Sequence, residues 1–559
     1  MATAKAESGA AERTASGQRW LAPLLVFLGA LALFCINLDD GLPVHDELYH
    51  LLAARGLLAT GLPSIAEGLY ERGYAYTWIV AQCFRLFGDN LFVARLPAAV
   101  SMALLVAAMF WWLRAKAGDM AAWIGAALFA TSPFAVGTAQ FARFYGPQSL
   151  LFFLGTVAAF EALRGADGPV RRGIMGMLAA ACLAMAAHLQ DTTILGIAGL
   201  AAWIALALGL PRLADPDVPP GRKLLVAGGL LAAAAVALTG MWTTGMLAGL
   251  WARYRWAPLF NQGDSGQFWF YHGWLSLFYP SLWPATGLLG LLAIVARPGP
   301  GLLALVVFAV SFLLNSFAGP KSLRYLAYAF PFLFAVWGIG IAALWPGLRD
   351  GLRRIVEGLA PALGIAASWG TRLGRGLAAC AIAFLLLGNP AWLRTGTLLA
   401  DISVPPEDPY IRWQQAATAL SPWLASAEVV VTTAELETLF HYGRYDLLLS
   451  RSRMEELGRD ERREFGRDWR TGRPIVAEAA TLGTLMDCTA SGLVISHRHH
   501  WKVTFQADAA AKVLIEQRAT PVQLPPGSQM LAWTWQQPAG WSPPAGCADT
   551  RRELHLPAH

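Results

Sequence analysis

The sequence is poor in charge: only 14% of its 559 residues are Asp, Glu, Lys or Arg. A water-soluble chain of this length carries about a quarter, so a string of soluble domains is excluded. It also lacks a basic stripe. Its 43 Lys and Arg against 37 Asp and Glu give +6, a balance that basic cytoplasmic loops explain without a nucleic-acid partner. No glycine-rich nucleotide loop is present. The six cysteines form no metal or redox pattern: Cys35, Cys182 and Cys380 lie in apolar runs, Cys83 lies beside one, and only Cys488 and Cys547 share a polar stretch. Those two can pair if that stretch faces an oxidising compartment. What is abundant is apolar surface, with 56% hydrophobic residues and a mean hydropathy of +0.44. The chain is a multi-pass membrane protein.

A helix needs roughly 20 residues to cross the hydrocarbon layer. About eleven such runs occur, at 20–38, 93–113, 120–140, 147–163, 173–190, 192–210, 224–246, 275–296, 301–318, 325–346 and 376–393. The first follows a polar tail, residues 1–19, without a small-residue cleavage site, and is expected to be retained. With a cytoplasmic N-terminus, alternate loops place Arg114 and Lys116, then Arg164, Arg171 and Arg172, then Arg212, Arg222 and Lys223, then Arg297, then Arg349, Arg353, Arg354, Arg372 and Arg375 on one side. That repeated bias is the positive-inside pattern.

Eleven crossings leave residues 400–559 on the opposite side of the membrane from the N-terminus. The apolar runs at 428–432, 472–476 and 492–496 read as short buried strands between helical patterns, so this part is expected to be a soluble α/β domain behind a membrane domain spanning 20–399. His497, His499 and His500 sit together, but neighbours on a strand face opposite ways, and a solvated strand end is the expected reading.

Two outer loops are longer than a connection needs, 39–92 and 246–274, and long loops on a rigid scaffold are disproportionately functional. The first carries Asp39 and Asp40, then His45-Asp46-Glu47-Leu48-Tyr49-His50, with leucines at 48, 51, 52 and 58 in a helical rhythm. An interfacial helix with Asp46 and Glu47 in its first turn is expected. Acids at a helix start often only favour its N-terminus; carboxylates held at a bilayer surface are costly unless paired or used. Glu67, Glu71 and Arg72 follow in the same loop. His50 stands four residues from Asp46, a two-ligand metal pair that is weak by itself. Cations end several spans on this side: Arg143 within Gln140-Phe141-Ala142-Arg143-Phe144-Tyr145, His188 before Gln190 and Asp191, and Lys321 with Arg324 before Tyr325. Arg95 and Arg85 read as snorkelling anchors. Arg253 and Arg255 suit either an anionic acceptor or lipid headgroups. The converging cations can neutralise a phosphate, since Arg offers a bidentate fork to its oxygens.

These features together resemble the GT-C membrane glycosyltransferases, in the branch of the aminoarabinose-lipid A transferases and protein O-mannosyltransferases. His45-Asp46-Glu47-Leu48-Tyr49 is similar to that family's Asp-Glu motif in the first outer loop. Residues Tyr70 to Trp78 resemble its Glu-Lys-Pro segment, with Arg72 for the lysine and Gly73 for the proline. Leu86-Phe87-Gly88-Asp89-Asn90, Arg95-Leu96-Pro97, and Arg324-Tyr325 ahead of Pro331 match further stretches. The resemblance covers residues 20–346. It departs at Gly146-Pro147-Gln148, where some relatives carry another Asp; Arg143 or Tyr145 is left to serve near the phosphate.

The resemblance implies a GT-C fold and an inverting transfer of a sugar from a polyprenyl-phosphate donor to a hydroxyl on a lipid, glycan or protein acceptor, on the periplasmic face of a bacterial inner membrane. It makes Asp46 the catalytic base. Glu47, Glu71, Arg72, Arg143, Tyr145, His188, Lys321, Arg324 and Tyr325 are the candidate substrate-binding residues. No organic cofactor is implied, and a divalent metal remains open. The rival from another class is a transporter or flippase for a lipid-linked or anionic solute, which favours charges near the bilayer midplane and interrupted helices in related halves. Here the charges cluster at the outer edge.

Overall fold

The computed structural model describes residues 20–39, 41, 43–165, 168–243, 268–318, 321–360, 362, 367–400, 411–457, 464–503 and 506–556. Arg253 and Arg255, with most of the second long loop, and Asp40 lie outside them. The chain divides into two compact units. One comprises 1–38 and 95–402; the other comprises 39–94 and 403–559. The first outer loop therefore belongs with the C-terminal part, where the sequence reading had set it with the spans.

The first unit is helical. Helices coincide with all eleven expected spans: Trp20–Phe34, Leu91–Ala117, Asp119–Ala130 with Pro133–Ala139, Tyr145–Phe160, Pro169–Leu189, Thr193–Ile204, Pro220–Thr243, Phe270–Phe278 with Leu282–Ala296, Pro298–Phe317, Phe330–Leu359, and Ala367–Leu387 with Ala391–Leu399. Among the described residues six are long and apolar enough to cross a membrane alone, or nine if each bent pair is one span. The three bent pairs turn by 59°, 95° and 50°.

Backbone freed at a bend inside a membrane must find partners, and here side chains supply them. Ser132 Oγ accepts the Ala135 N–H at the first bend (3.1 Å). Buried Asn389, at the third bend, accepts from Ser281 N–H (3.1 Å) and Leu282 N–H (3.3 Å) at the second. One amide thus serves two broken helices. Without a hydrophobic drive between helices in lipid, close approach depends on small residues. A Cβ on Gly338 would stand 2.6 Å from the Ala121 carbonyl oxygen.

In the second unit a seven-stranded sheet has the order β5-β6-β4-β3-β7-β9-β8. Its strands are β3 Val429–Thr432, β4 Leu447–Leu449, β5 Gly466–Arg467, β6 Pro474–Val476, β7 Ser491–His497, β8 Thr520–Pro521 and β9 Met530–Gln536; the hairpin β1 Ser64–Ile65 and β2 Gly68–Leu69 precedes them. Strands β6, β4, β3 and β7 are parallel; β5 is antiparallel to β6 at one edge, and at the other β9 is antiparallel to β7 and β8 antiparallel to β9. The central strands are mostly apolar and almost wholly buried because both faces are covered. Leu482, Leu485, Ala511 and Ile515 pack on one face; Trp413, Ala416 and Leu420 pack on the other. The C-terminal domain is α/β, as expected. Cys488 and Cys547 form a disulfide.

The histidine cluster departs in part from its expected setting. His497 closes β7 as a buried residue, and the chain turns at once into the short helix Arg498–Lys502. His497 Nδ1 accepts the His500 N–H, and the two rings lie 3.9 Å apart. His497 is thus a buried helix cap, whereas Arg498 and His499 beyond it are exposed, as a solvated strand end would have them. Arg95 also departs: it is buried, and its Nη1 donates to the Leu38 carbonyl (3.1 Å) past the end of the first helix. Arg85 is exposed.

Candidate functional site

The expected site residues divide between the units. In the helical unit, Arg143 follows Pro133–Ala139 at a bend, and Tyr145 opens Tyr145–Phe160. Arg143 and Tyr145 are both buried. Arg324 and Tyr325 lie in the 3₁₀ turn Leu323–Leu326 ahead of Phe330–Leu359. The Arg324 guanidinium stands over the rings of Phe141 (5.6 Å), Tyr145 (5.9 Å) and Tyr325 (5.7 Å), and Arg143 stands over Phe144 (5.0 Å). Tyr145 and Tyr325 are themselves 6.3 Å apart.

Arg143, Tyr145, Arg324 and Tyr325 are thus brought together, around aromatic faces that attract a cation through the ring quadrupole. The Lys321 ammonium donates to the Ala318 carbonyl, and partial burial lowers its pKa. His188 is exposed on the last turn of Pro169–Leu189. Where the family's acid is missing, Gln148 is buried, donating to Thr193 Oγ1 (2.9 Å).

In the other unit the expected helix forms over His45–Thr60 and ends at Gly61, whose φ of +78° suits a residue without a Cβ. Glu47 is fully buried, and its Oε2 accepts the Val44 N–H (2.9 Å). That carboxylate caps the helix. Asp46 beside it is half-buried. His50 is buried against Tyr70 and Tyr76, with Nδ1 paired to Thr77 Oγ1 (2.8 Å); it joins its helix to Tyr74–Phe87. No group of three or more metal-ligating side chains occurs among the described residues. Glu71 and Arg72 are exposed in the turn that Gly73, at φ +64°, closes before Tyr74–Phe87.

The residues flanking Asp46 are tied to the C-terminal part of the same unit. His45 Nδ1 meets Glu437 Oε1 at 2.8 Å, and its Nε2 meets the Tyr49 hydroxyl at 3.3 Å. Tyr49 stacks on Tyr70 with ring centres 4.8 Å apart, and its hydroxyl accepts from Arg470 and from Arg453 (3.4 Å). Arg470, only 2% exposed, also faces Asp468 (2.9 Å) and Glu435 (3.3 Å). The loop bearing Arg470 folds against the β1–β2 hairpin: Glu67 N–H donates to the Thr471 carbonyl (2.9 Å), and Arg473 pairs with Glu67 (2.8 Å). Gly472 has φ +71°, and a Cβ there would stand 2.8 Å from the Glu67 carbonyl carbon.

These contacts fix the protonation states. Burial penalises the Glu435 carboxylate, yet Arg470, His45 and Arg453 together hold its pKa below the usual range. Burial likewise opposes Glu437, and His45 outweighs it. For His45 burial pulls downward, while Glu437 first, then Glu435 and Asp46, raise its pKa above 6.5. Glu435, Glu437, Arg453 and Arg470 were not singled out in the sequence. Acids at the start of a helix, as at Glu435–Tyr442, read as dipole partners until the fold shows them buried.

No family model matches the sequence, and no curated protein matches it. Solved structures do. The chain is similar to ArnT from Cupriavidus metallidurans bound to undecaprenyl phosphate, at 15% identity over 91% of this chain and 97% of that one, with a TM-score of 0.58. The apo form of the same protein matches at 15% identity over 93% and 98%, with a TM-score of 0.57. An oligosaccharyltransferase from Archaeoglobus fulgidus aligns at 12% identity over 93% of this chain and 75% of its own, with a TM-score of 0.49. The fold that the motifs implied is the fold observed: that of a multi-pass GT-C membrane protein, shared with ArnT along nearly the whole of both chains.

Proposed function

We propose that the protein is an inverting glycosyltransferase that moves a sugar from a polyprenyl-phosphate donor to an acceptor hydroxyl. The observation that carries this reading is the fold shared with ArnT, which was solved with undecaprenyl phosphate bound, together with the Arg143, Tyr145, Arg324 and Tyr325 group. A lipid phosphate is the leaving group such cations suit. Negative charge grows on it as the sugar–oxygen bond breaks, so fixed guanidinium groups stabilise the transition state more than the ground state.

Asp46 is the general base. A hydroxyl is a poor nucleophile; as its oxygen bonds to the anomeric carbon, its proton passes to the Asp46 carboxylate, and the phosphate leaves with the bonding pair. Attack opposite the phosphate inverts the anomeric centre. Arg143, Lys321 and Arg324 hold the phosphate, with Tyr145 and Tyr325 orienting them. Exposed Glu71 and Arg72 bind substrate polar groups, as His188 does. The acceptor is a lipid, a glycan or a protein side chain, and the site faces the periplasm of a bacterial inner membrane.

The test is release of free lipid phosphate when the purified protein is incubated with a radiolabelled polyprenyl-phosphate sugar and candidate acceptors. Asp46→Asn should reduce transfer by about 10²-fold or more, the usual worth of general-base catalysis, while donor binding persists. Retention of more than about a tenth of the activity would remove Asp46 from that role. The bent helix pairs also suit a flippase; movement of intact donor across vesicles with no bond cleavage would favour that reading instead.

A further inference from the structure

The segment 435–470 lies about 390 residues or more along the chain from Asp46, yet it supplies partners of His45 and Tyr49 on the same helix. We propose that Glu437, acting through His45, is the positioning residue for Asp46, with Tyr49 and its arginine clamp as the brace. This deepens the reading of Asp46 as the base and rests on it.

The geometry is built in three steps. His45, the first residue of His45–Thr60, is anchored through Nδ1 to Glu437, on the separate helix Glu435–Tyr442. Its other nitrogen meets Tyr49 one turn along. The Tyr49 hydroxyl accepts from both Arg470 and Arg453. Ionised Glu437 can only accept, so His45 Nδ1 carries the hydrogen between them. Glu47, on the far side of Asp46, is locked into the cap. The backbone of Asp46 is therefore held between two fixed neighbours, the kind of support a reacting group needs to stay within about 0.5 Å of its working position.

Burial makes the arrangement directional. Glu435 and Glu437 sit inside the protein with cationic partners, so exchanging one partner for a neutral group leaves a buried charge without its complement. The other titratable groups interacting with this cluster include Asp46 on the same helix, His441 on the helix of Glu437, Tyr445, Arg453 and Arg470 from the C-terminal part, and His497 and His500 from the end of β7 and the helix after it.

The test measures kcat, donor KM and thermal melting for Glu437→Gln, His45→Ala, His45→Asn and the double variant His45→Ala with Glu437→Gln. Glu437→Gln keeps shape and removes charge. It should lower kcat about tenfold with donor KM changed less than twofold. The double variant should lose no more than the worse single variant, because the two side chains act as one unit. His45→Asn should recover most of what His45→Ala loses, since the Asn amide places an N–H near the position of Nδ1. Additive losses, a KM effect without a kcat effect, or no rescue by Asn would overturn the proposal.

Asp46→Asn, run alongside, separates the two readings. An inactive Asp46→Asn with wild-type kcat in Glu437→Gln sinks the positioning role alone. An active Asp46→Asn sinks both.

Discussion

In the helical unit Arg143 and Arg324 lie over rings; in the other unit Arg470, though it too stands over the Tyr49 and Trp469 rings, and Arg453 lie against carboxylates and a phenol. A guanidinium over an aromatic face is held by its plane, whereas one beside a carboxylate is held by its N–H fork. The two settings differ in what truncation costs. Removing a cation over a ring forfeits about a kilocalorie per mole of cation–π attraction. Removing one from a buried ion-pair network strands the charges it neutralised. The first kind of site is tuned through ligand affinity and the second through stability, so substitutions in the two units should separate binding from folding.

The largest expected effect follows from the second setting. Arg470→Ala leaves Glu435 and Asp468 buried, with Arg453, 3.9 Å from Glu435, and His45 to offset its charge. Breaking such a network costs about 3–5 kcal/mol, a drop in melting temperature of several degrees or more. A melting temperature within one or two degrees of wild type would show the clamp to be dispensable and would erase the contrast between the units.

Arg324→Ala tests the other side of the contrast. Its melting temperature should stay close to wild type, while affinity for a polyprenyl phosphate falls by about ten- to a hundredfold, in keeping with loss of one charge-assisted contact of roughly 1.5–3 kcal/mol. Titration of the purified variant with undecaprenyl phosphate reads both quantities in one preparation. Unchanged affinity would make Arg324 a lipid anchor. A large loss of stability would show that the aromatic cradle, like the ion-pair network, is a folding element.

The same contrast accounts for what the sequence disclosed. Spans show as apolar runs because lipid demands them, and cations at span ends stand out against that background, so Arg143 and Arg324 were legible, though alongside His188 and Lys321 and without the aromatic faces that bring them together. Strands β3, β6 and β7 were legible as short apolar runs between helical patterns. Strand β4 is three leucines amid polar sequence, and β9 lies in a Trp- and Pro-rich stretch whose alternation, with Trp533 and Trp535 buried, is easily lost.

The partners of the Asp46 helix were not legible at all. Glu437 and Arg470 carry no local signal, because their meaning comes from pairing with residues some 400 positions away. Glu47 was legible in part: an acid at a helix start favours that N-terminus, and its carboxylate does cap the helix. The break points of the bent helices were hidden as well, since hydropathy continues through them and only a buried partner such as Asn389 makes the turn tolerable.

The smallest effect concerns pH and sharpens the same division. Burial holds His500 and His441 neutral, with pKa values lowered to about 4, and His497 lower still, to about 2. Unfolded, each takes a proton near 6.5. As pH falls from 6.5 toward 4 the unfolded chain therefore binds more protons than the folded one, and stability declines by up to about 1.4 kcal/mol per pH unit for each such histidine. Glu435 and Glu437, lowered in the folded state, add to the loss once pH falls below their ordinary 4.5. His45 acts in the reverse sense: its raised pKa contributes fully below 6.5 and is lost as pH rises through the folded value. Three depressed histidines outweigh one raised, so the unit of 39–94 and 403–559 should melt at progressively lower temperature between pH 6.5 and 4.5. His500→Gln, which removes one titrating ring, should flatten that slope; a melting temperature constant or rising across the window would mean that these rings are open to water.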